Sequence, residues 1–132
     1  MLSHISFGCT DLRRSTAFYE TVLSTLGYVR VWSNETASGF APAGQEDVFA
    51  IKLQAKVTPP GPGFHLAFSA CSRFSVDEFH RRALELGAQD KGKPGLRTQY
   101  GPDYYAAFLL DLDGFYIEAV YKGLGENQVP AH

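Results

Sequence analysis

No run of apolar residues approaches the roughly 18–20 needed to cross a bilayer. The opening residues, MLSHISFG, lack the basic start and long apolar region of a secretory signal. A cytoplasmic protein with no membrane partner is therefore expected. Basic charge is also scarce: 12 Lys and Arg stand against 14 Asp and Glu, for a net charge of −2. That argues against an electrostatic binder of nucleic acid, which needs a basic face. Cysteine is limited to Cys9 and Cys71. Both lie among apolar residues and read as small buried hydrophobes of a reducing compartment, a reading favoured over a disulfide between them. What remains, 45% hydrophobic and 20% charged over 132 residues, is an ordinary globular composition. It suffices for one domain, or for two half-domains sharing a core.

What the chain has is a repeat. HISFGCTDLRRSTAFYETVLSTLG, from His4 to Gly27, is answered by HLAFSACSRFSVDEFHRRALELG, from His65 to Gly87. Both open with His and end in Leu-Gly, and Phe18 and Phe79 fall at the same distance from the opening histidine. Matching supersecondary units at a fixed spacing point to a duplicated architecture.

Within the first unit, Ile5, Phe7 and Cys9 alternate with His4, Ser6 and Gly8, which predicts a strand over residues 3–9. Thr10 and Asp11 can cap a helix over residues 12–26, ended by Gly27. Strands follow over Tyr28–Trp32, near Ser38–Ala41 and over Val48–Ala55. The Pro/Gly-rich segment at 58–63 can continue neither helix nor central strand and reads as a stiff linker. The second unit repeats the pattern. Ser75 with Glu78 looks like a capping box, and Phe74 with Phe79 like a hydrophobic staple. Residues 90–104 read as a Gly/Pro/Tyr-rich loop around a short strand. Strands over Ala106–Leu110 and Phe115–Tyr121 flank a turn at Asp111-Leu112-Asp113-Gly114. The expected division is thus a β-α-β-β-β module at 1–57, a linker at 58–63, a second such module at 64–122, and a mobile tail at 123–132.

Three residues on this frame carry chemistry. His4 and His65 sit on the less apolar faces of their strands, beside small residues that leave room for a ligand. Either alone reads more readily as a histidine hydrogen-bonded in a cavity. Histidine fills four of 132 positions, so two at matched places arise by chance only about once in a thousand. Glu118 interrupts an apolar strand, where an unpartnered carboxylate costs several kcal/mol. Two imidazoles and a carboxylate suit divalent iron, manganese or zinc with open coordination positions. A salt bridge across a barrel mouth is the competing reading of Glu118. Setting Phe49-Ala50-Ile51 against Phe115-Tyr116-Ile117 puts Lys52 at the place of Glu118. Lys52 is a donor, not a ligand; it can pair with Glu118, hold an anionic substrate, or stand in for a metal. Gln54 follows on the same face. His80, beside Arg81 and Arg82, and His132 read as solvated surface residues.

The strand-opening His, FYETVLSTLGY, GFHLAFS and DLDGFYIEAV resemble the vicinal-oxygen-chelate superfamily of lactoylglutathione lyases, bleomycin-resistance proteins, fosfomycin-resistance transferases and extradiol dioxygenases. The resemblance spans nearly all of residues 1–122. It implies an α+β fold in which two tandem β-α-β-β-β modules curl mixed sheets around a shared cavity. It also implies a homodimer, with His4 of one chain meeting His65 and Glu118 of the other around iron, manganese, zinc or nickel. Lactoylglutathione lyases carry a carboxylate ligand where Lys52 is placed, which disfavours that activity. Enzymes using two His and one Glu match the donor count. The fold itself does not choose among dioxygenase, lyase and thiol-transferase chemistry.

The expected substrate is a small, oxygen-rich molecule, bound by Lys52, Gln54, Arg97, Tyr100 and Tyr104. Tyr100, Tyr104 and Lys52 are the candidate proton donors. Tyr104 and Tyr105 alternate across a strand, so at most one of them faces the cavity. Trp32 and Phe40 can belong to core or pocket. The rival function is a metal-free, sequestering dimer of the bleomycin-resistance type with an aromatic cavity.

Overall fold

The computed structural model describes residues 1–123. The expected tail lies almost wholly outside them, and so does His132. Eight strands and two helices are arranged in duplicate. The first set is β1 (Ile5–Cys9), α1 (Leu12–Ser24), β2 (Tyr28–Ser33), β3 (Ala37–Pro42) and β4 (Phe49–Leu53). The second is β5 (Leu66–Ser69), α2 (Arg73–Glu85), β6 (Gln89–Leu96), β7 (Tyr105–Leu110) and β8 (Tyr116–Tyr121). Each set makes its own four-stranded mixed sheet, in the orders β1-β4-β3-β2 and β5-β8-β7-β6. The first strand of each pairs in parallel with the last, and the other pairs are antiparallel. The fold is the duplicated α+β arrangement expected of the repeat.

Asp11 caps α1 by accepting from the Arg14 amide at 3.1 Å. Phe18, Tyr19, Val22 and Leu23 recur at helical spacing and are buried. Gly27, at φ +87°, then turns the chain. The start of α2 differs from expectation. Ser72, not Ser75, is the cap, accepting from the Ser75 amide at 3.0 Å. Phe74 consequently falls in the first turn on the side away from Phe79; it is 71% exposed, so the expected staple does not form. Glu78 pairs with Arg81 at 2.6 Å instead of capping. The loop expected at 90–104 also yields to a longer element. An eight-residue β6, irregular between Asp90 and Gly92 and between Gly92 and Gly95, pairs with β7 before a single 3-10 turn at Thr98–Tyr100. Edge position and bulging let β6 carry Pro94, which a central strand would not tolerate.

The modules share one core. Phe7 on β1 stacks on Phe115 with ring centroids 4.1 Å apart and meets Phe49 edge-on at 5.0 Å. Phe49 also meets Phe68 of β5 at 5.4 Å. Polar ties cross the same boundary. Asp113 Oδ1 accepts from the Thr10 amide at 3.1 Å and the Thr10 hydroxyl at 3.0 Å. The turn that supplies this carboxylate is closed by Gly114, at φ +96°. Phe40 is fully buried and belongs to this core.

Two side chains differ from expectation in burial. His80 is buried, and its Nε2 lies 2.9 Å from Asp90 Oδ1, joining α2 to the β6 bulge. Helical spacing puts it on the Val76–Ala83 face, which the neighbouring arginines obscured. Cys9 is buried but Cys71 is exposed, beyond the end of β5, and both thiols are free. No helix among the described residues is long and apolar enough to cross a membrane.

Candidate functional site

β8 carries Tyr116, Glu118 and Val120 on one face, and the ladders set Glu118 directly between Ala67 of β5 and Phe108 of β7. Glu118 is only 1% exposed. Such burial is tolerated because both carboxylate oxygens have partners. Oε1 lies 2.9 Å from Nε2 of His65, and Oε2 accepts from the Tyr104 hydroxyl at 2.5 Å. His65 immediately precedes β5, with half its side chain open to solvent. Its ring lies edge-on to Phe108 and Tyr116, at 6.3 and 6.1 Å.

Burial, and next the Glu118 carboxylate, hold the Tyr104 phenol well above its ordinary pKa of 10.0. Near neutrality Tyr104 is therefore a donor and not a base. Tyr105 points the other way: its hydroxyl donates to Asp77 of α2 at 2.6 Å. One tyrosine of the pair faces Glu118, as strand alternation requires. Tyr100 stacks obliquely on Tyr104 at 5.3 Å and is largely exposed.

In front of His65 opens a cavity of about 780 Å³. Its walls include Phe108, Tyr116, Tyr100 and Arg97, and the Pro60–Gly63 segment closes one side. The linker is thus part of the wall, a role that its composition did not reveal. Tyr116 and Phe108 were legible in principle, since both share the face of Glu118 by alternation and register. Lys91 and Gln99 also line the cavity but stood in a segment read as loop.

His65, Glu118, Tyr104, Tyr100 and Arg97 therefore lie together, whereas His4, Lys52 and Gln54 lie elsewhere within one chain. His4 is exposed just before β1, its Nδ1 3.0 Å from the Ser3 hydroxyl, beside a separate hollow with Trp32, Glu46 and Asp47. Trp32 lies flat over Gly39, where any Cβ would sit 2.2 Å from its indole nitrogen. Lys52 is exposed and, among the described residues, forms no ion pair. Gln54 follows β4, its backbone N–H donating to the Cys9 carbonyl at 2.8 Å.

The register also corrects the match between Lys52 and Glu118. Ile5 faces Phe49 as Leu66 faces Ile117, so the counterpart of Glu118 in the first module is Ala50, while Lys52 corresponds to Val120. Matching Phe49 to Phe115 displaced the strands by two residues, a slip that leaves the alternation of faces unchanged and so is invisible to pattern. Ala50 is buried and supplies no donor atom. The place where a lactoylglutathione lyase has its carboxylate is therefore apolar.

A divalent ion requires nitrogen and oxygen donors of the kind that His65 and Glu118 present to each other. Among the described residues no three His, Cys, Asp or Glu side chains gather closely enough to hold one. The donor chemistry within one chain fits such an ion, and the donor number does not.

A family model described as the glyoxalase/bleomycin resistance protein/dioxygenase superfamily matches residues 1–119. The chain belongs to that superfamily. Among solved structures, a glyoxalase/bleomycin resistance protein from Albidiferax ferrireducens T118 is 31% identical, with a TM-score of 0.77 over 92% of this chain and 98% of that one. The genomically encoded fosfomycin resistance protein FosX from Listeria monocytogenes is 25% identical, with a TM-score of 0.70 over 98% of both chains. A putative glyoxalase from Bacillus halodurans is also 25% identical, with a TM-score of 0.67 over 92% of this chain and 95% of that one. No curated protein matches the sequence. Membership in the superfamily identifies the frame and leaves the reaction open.

Proposed function

We propose that this superfamily member is a divalent-metal-dependent enzyme acting on a small, oxygen-bearing substrate in the cavity before His65. In this reading His65 and Glu118 are ligands from one chain, and His4 of the partner subunit completes the set in a homodimer. The observation that carries it is the pairing of a half-open imidazole with a carboxylate buried on an otherwise apolar sheet face. The exposure of His4, free to meet another chain, supports the shared site. The similarity to FosX over 98% of both chains is consistent with it. When bound, the ion would act as a Lewis acid toward substrate oxygens. Tyr104, whose hydroxyl donates to Glu118, is the proton donor beside that carboxylate, and Tyr100 and Arg97 orient the substrate at the mouth.

One observation favours a second reading. His65 and Tyr104 together already satisfy Glu118, so the pocket also suits a metal-free dimer that sequesters a small molecule of the kind bleomycin-resistance proteins bind. Metal analysis of protein purified without chelator separates the two. The enzyme reading expects about one divalent ion per chain, lost in folded His65→Ala and His4→Ala variants. A metal-free dimer would refute it and leave the sequestering function.

A further inference from the structure

The cavity before His65 has a marked charge imbalance. Lys91 and Arg97 line it beside the His65 imidazole, and no Asp or Glu does, in a chain whose net charge is −2. Glu118 lies behind His65 with both oxygens engaged. Among the described residues neither Lys91 nor Arg97 forms an ion pair.

Arg97 is held in place. Its Nη2 donates to the Lys93 carbonyl at 2.7 Å, and its guanidinium carbon lies 5.4 Å from the centroid of the Phe108 ring. Two glycines let it fold back across β6. A Cβ at Gly92 would sit 3.2 Å from Nη2, and one at Gly95 would sit 3.1 Å from Nη1, closer than such contacts normally run. Nη2 is anchored while, among the described residues, Nη1 and Nε have no hydrogen-bond acceptor, the geometry that suits an oxyanion. Phe108 and Tyr116, with Phe64, offer apolar surface on the same walls.

We propose that the substrate is a small organic oxyanion, a carboxylate or phosphonate attached to a flat apolar body, with Arg97 as its specificity-determining anchor and Lys91 as the supporting cation. This rests on the reading that the cavity is the functional site, but not on a metal being there. The test is therefore made on chelator-treated full-length protein, by calorimetric titration with benzoate, phenylphosphonate and neutral benzamide. Benzoate and phenylphosphonate separate the two headgroups. At least one should bind more tightly than benzamide, and more weakly as salt rises. Arg97→Gln should weaken the anion by about ten- to a hundredfold and leave benzamide unchanged, because a charge-assisted contact is removed and the apolar wall is kept. Arg97→Lys should recover part of that loss. Equal binding of all three probes, or anion affinity indifferent to Arg97→Gln, would overturn the proposal. Anion binding in a protein that never takes up metal would uphold it while removing the metal-dependent reading.

Discussion

The Tyr19 hydroxyl donates a hydrogen bond to Oδ2 of Asp111, joining the helix of the first module to the hairpin turn of the second inside the core. Oδ1 of the same carboxylate accepts from the Asp113 and Phe115 amides, both at 2.9 Å. One residue thus shapes the turn with one oxygen and fastens the modules with the other.

Tyr19→Phe should therefore destabilise the protein by about 1–3 kcal/mol, because a buried carboxylate loses a donor while its burial persists. Urea unfolding of the two proteins measures this. A change near zero would mean that water replaces the hydroxyl.

Burial raises the Asp111 pKa above its ordinary 3.8, and the Tyr19 hydroxyl, foremost among its hydrogen-bond donors, offsets part of the rise. The folded state then holds this proton more tightly than the unfolded state. Stability from this group is complete below 3.8 and lost as pH rises through the higher folded value. Asp111→Asn should lack that decline, and Tyr19→Phe should extend it to higher pH. Unfolding free energies across the acidic range reveal the slopes; parallel curves for wild type and Asp111→Asn would contradict the assignment.

Phe7→Ala should cost about 3–5 kcal/mol, since its ring packs on Phe49 of its own module and Phe115 of the other. The variant should still unfold in one transition seen alike by fluorescence and circular dichroism, because the buried residues of both modules form one continuous cluster. Two separated transitions would show independent modules.

The thiols should differ sharply toward an aromatic disulfide reagent. Cys71 is exposed, whereas burial, followed by the nearby Asp113 charge, pushes Cys9 to about 11. One thiol should react quickly in the native protein and the other only on unfolding. Cys71→Ser should remove the fast phase.

The repeat, the alternation of strand faces and the residues Glu118, His65 and Tyr104 were all legible in the chain. Each depends on local period or on a polar group placed where apolar ones belong. The cap of α2 was misplaced because Ser72 and Ser75 satisfy the same local rule, and only packing of Val76 and Phe79 decides between them. His80 was hidden for a related reason: exposure of one helix face does not follow from its immediate neighbours. The pairing of Ala50, not Lys52, with the position of Glu118 needed the ladder, since a two-residue slip preserves every alternation.

By itself, then, the sequence determined a duplicated frame and the chemical character of its inner faces, because backbone periodicity is a local property. Tertiary structure alone decided which groups meet. It paired His65 with Glu118, kept His4 apart from them within one chain, and made the Pro60–Gly63 linker a cavity wall. Those outcomes depend on strand register and on how two modules close over a common core, and contacts between distant residues leave no period in the chain.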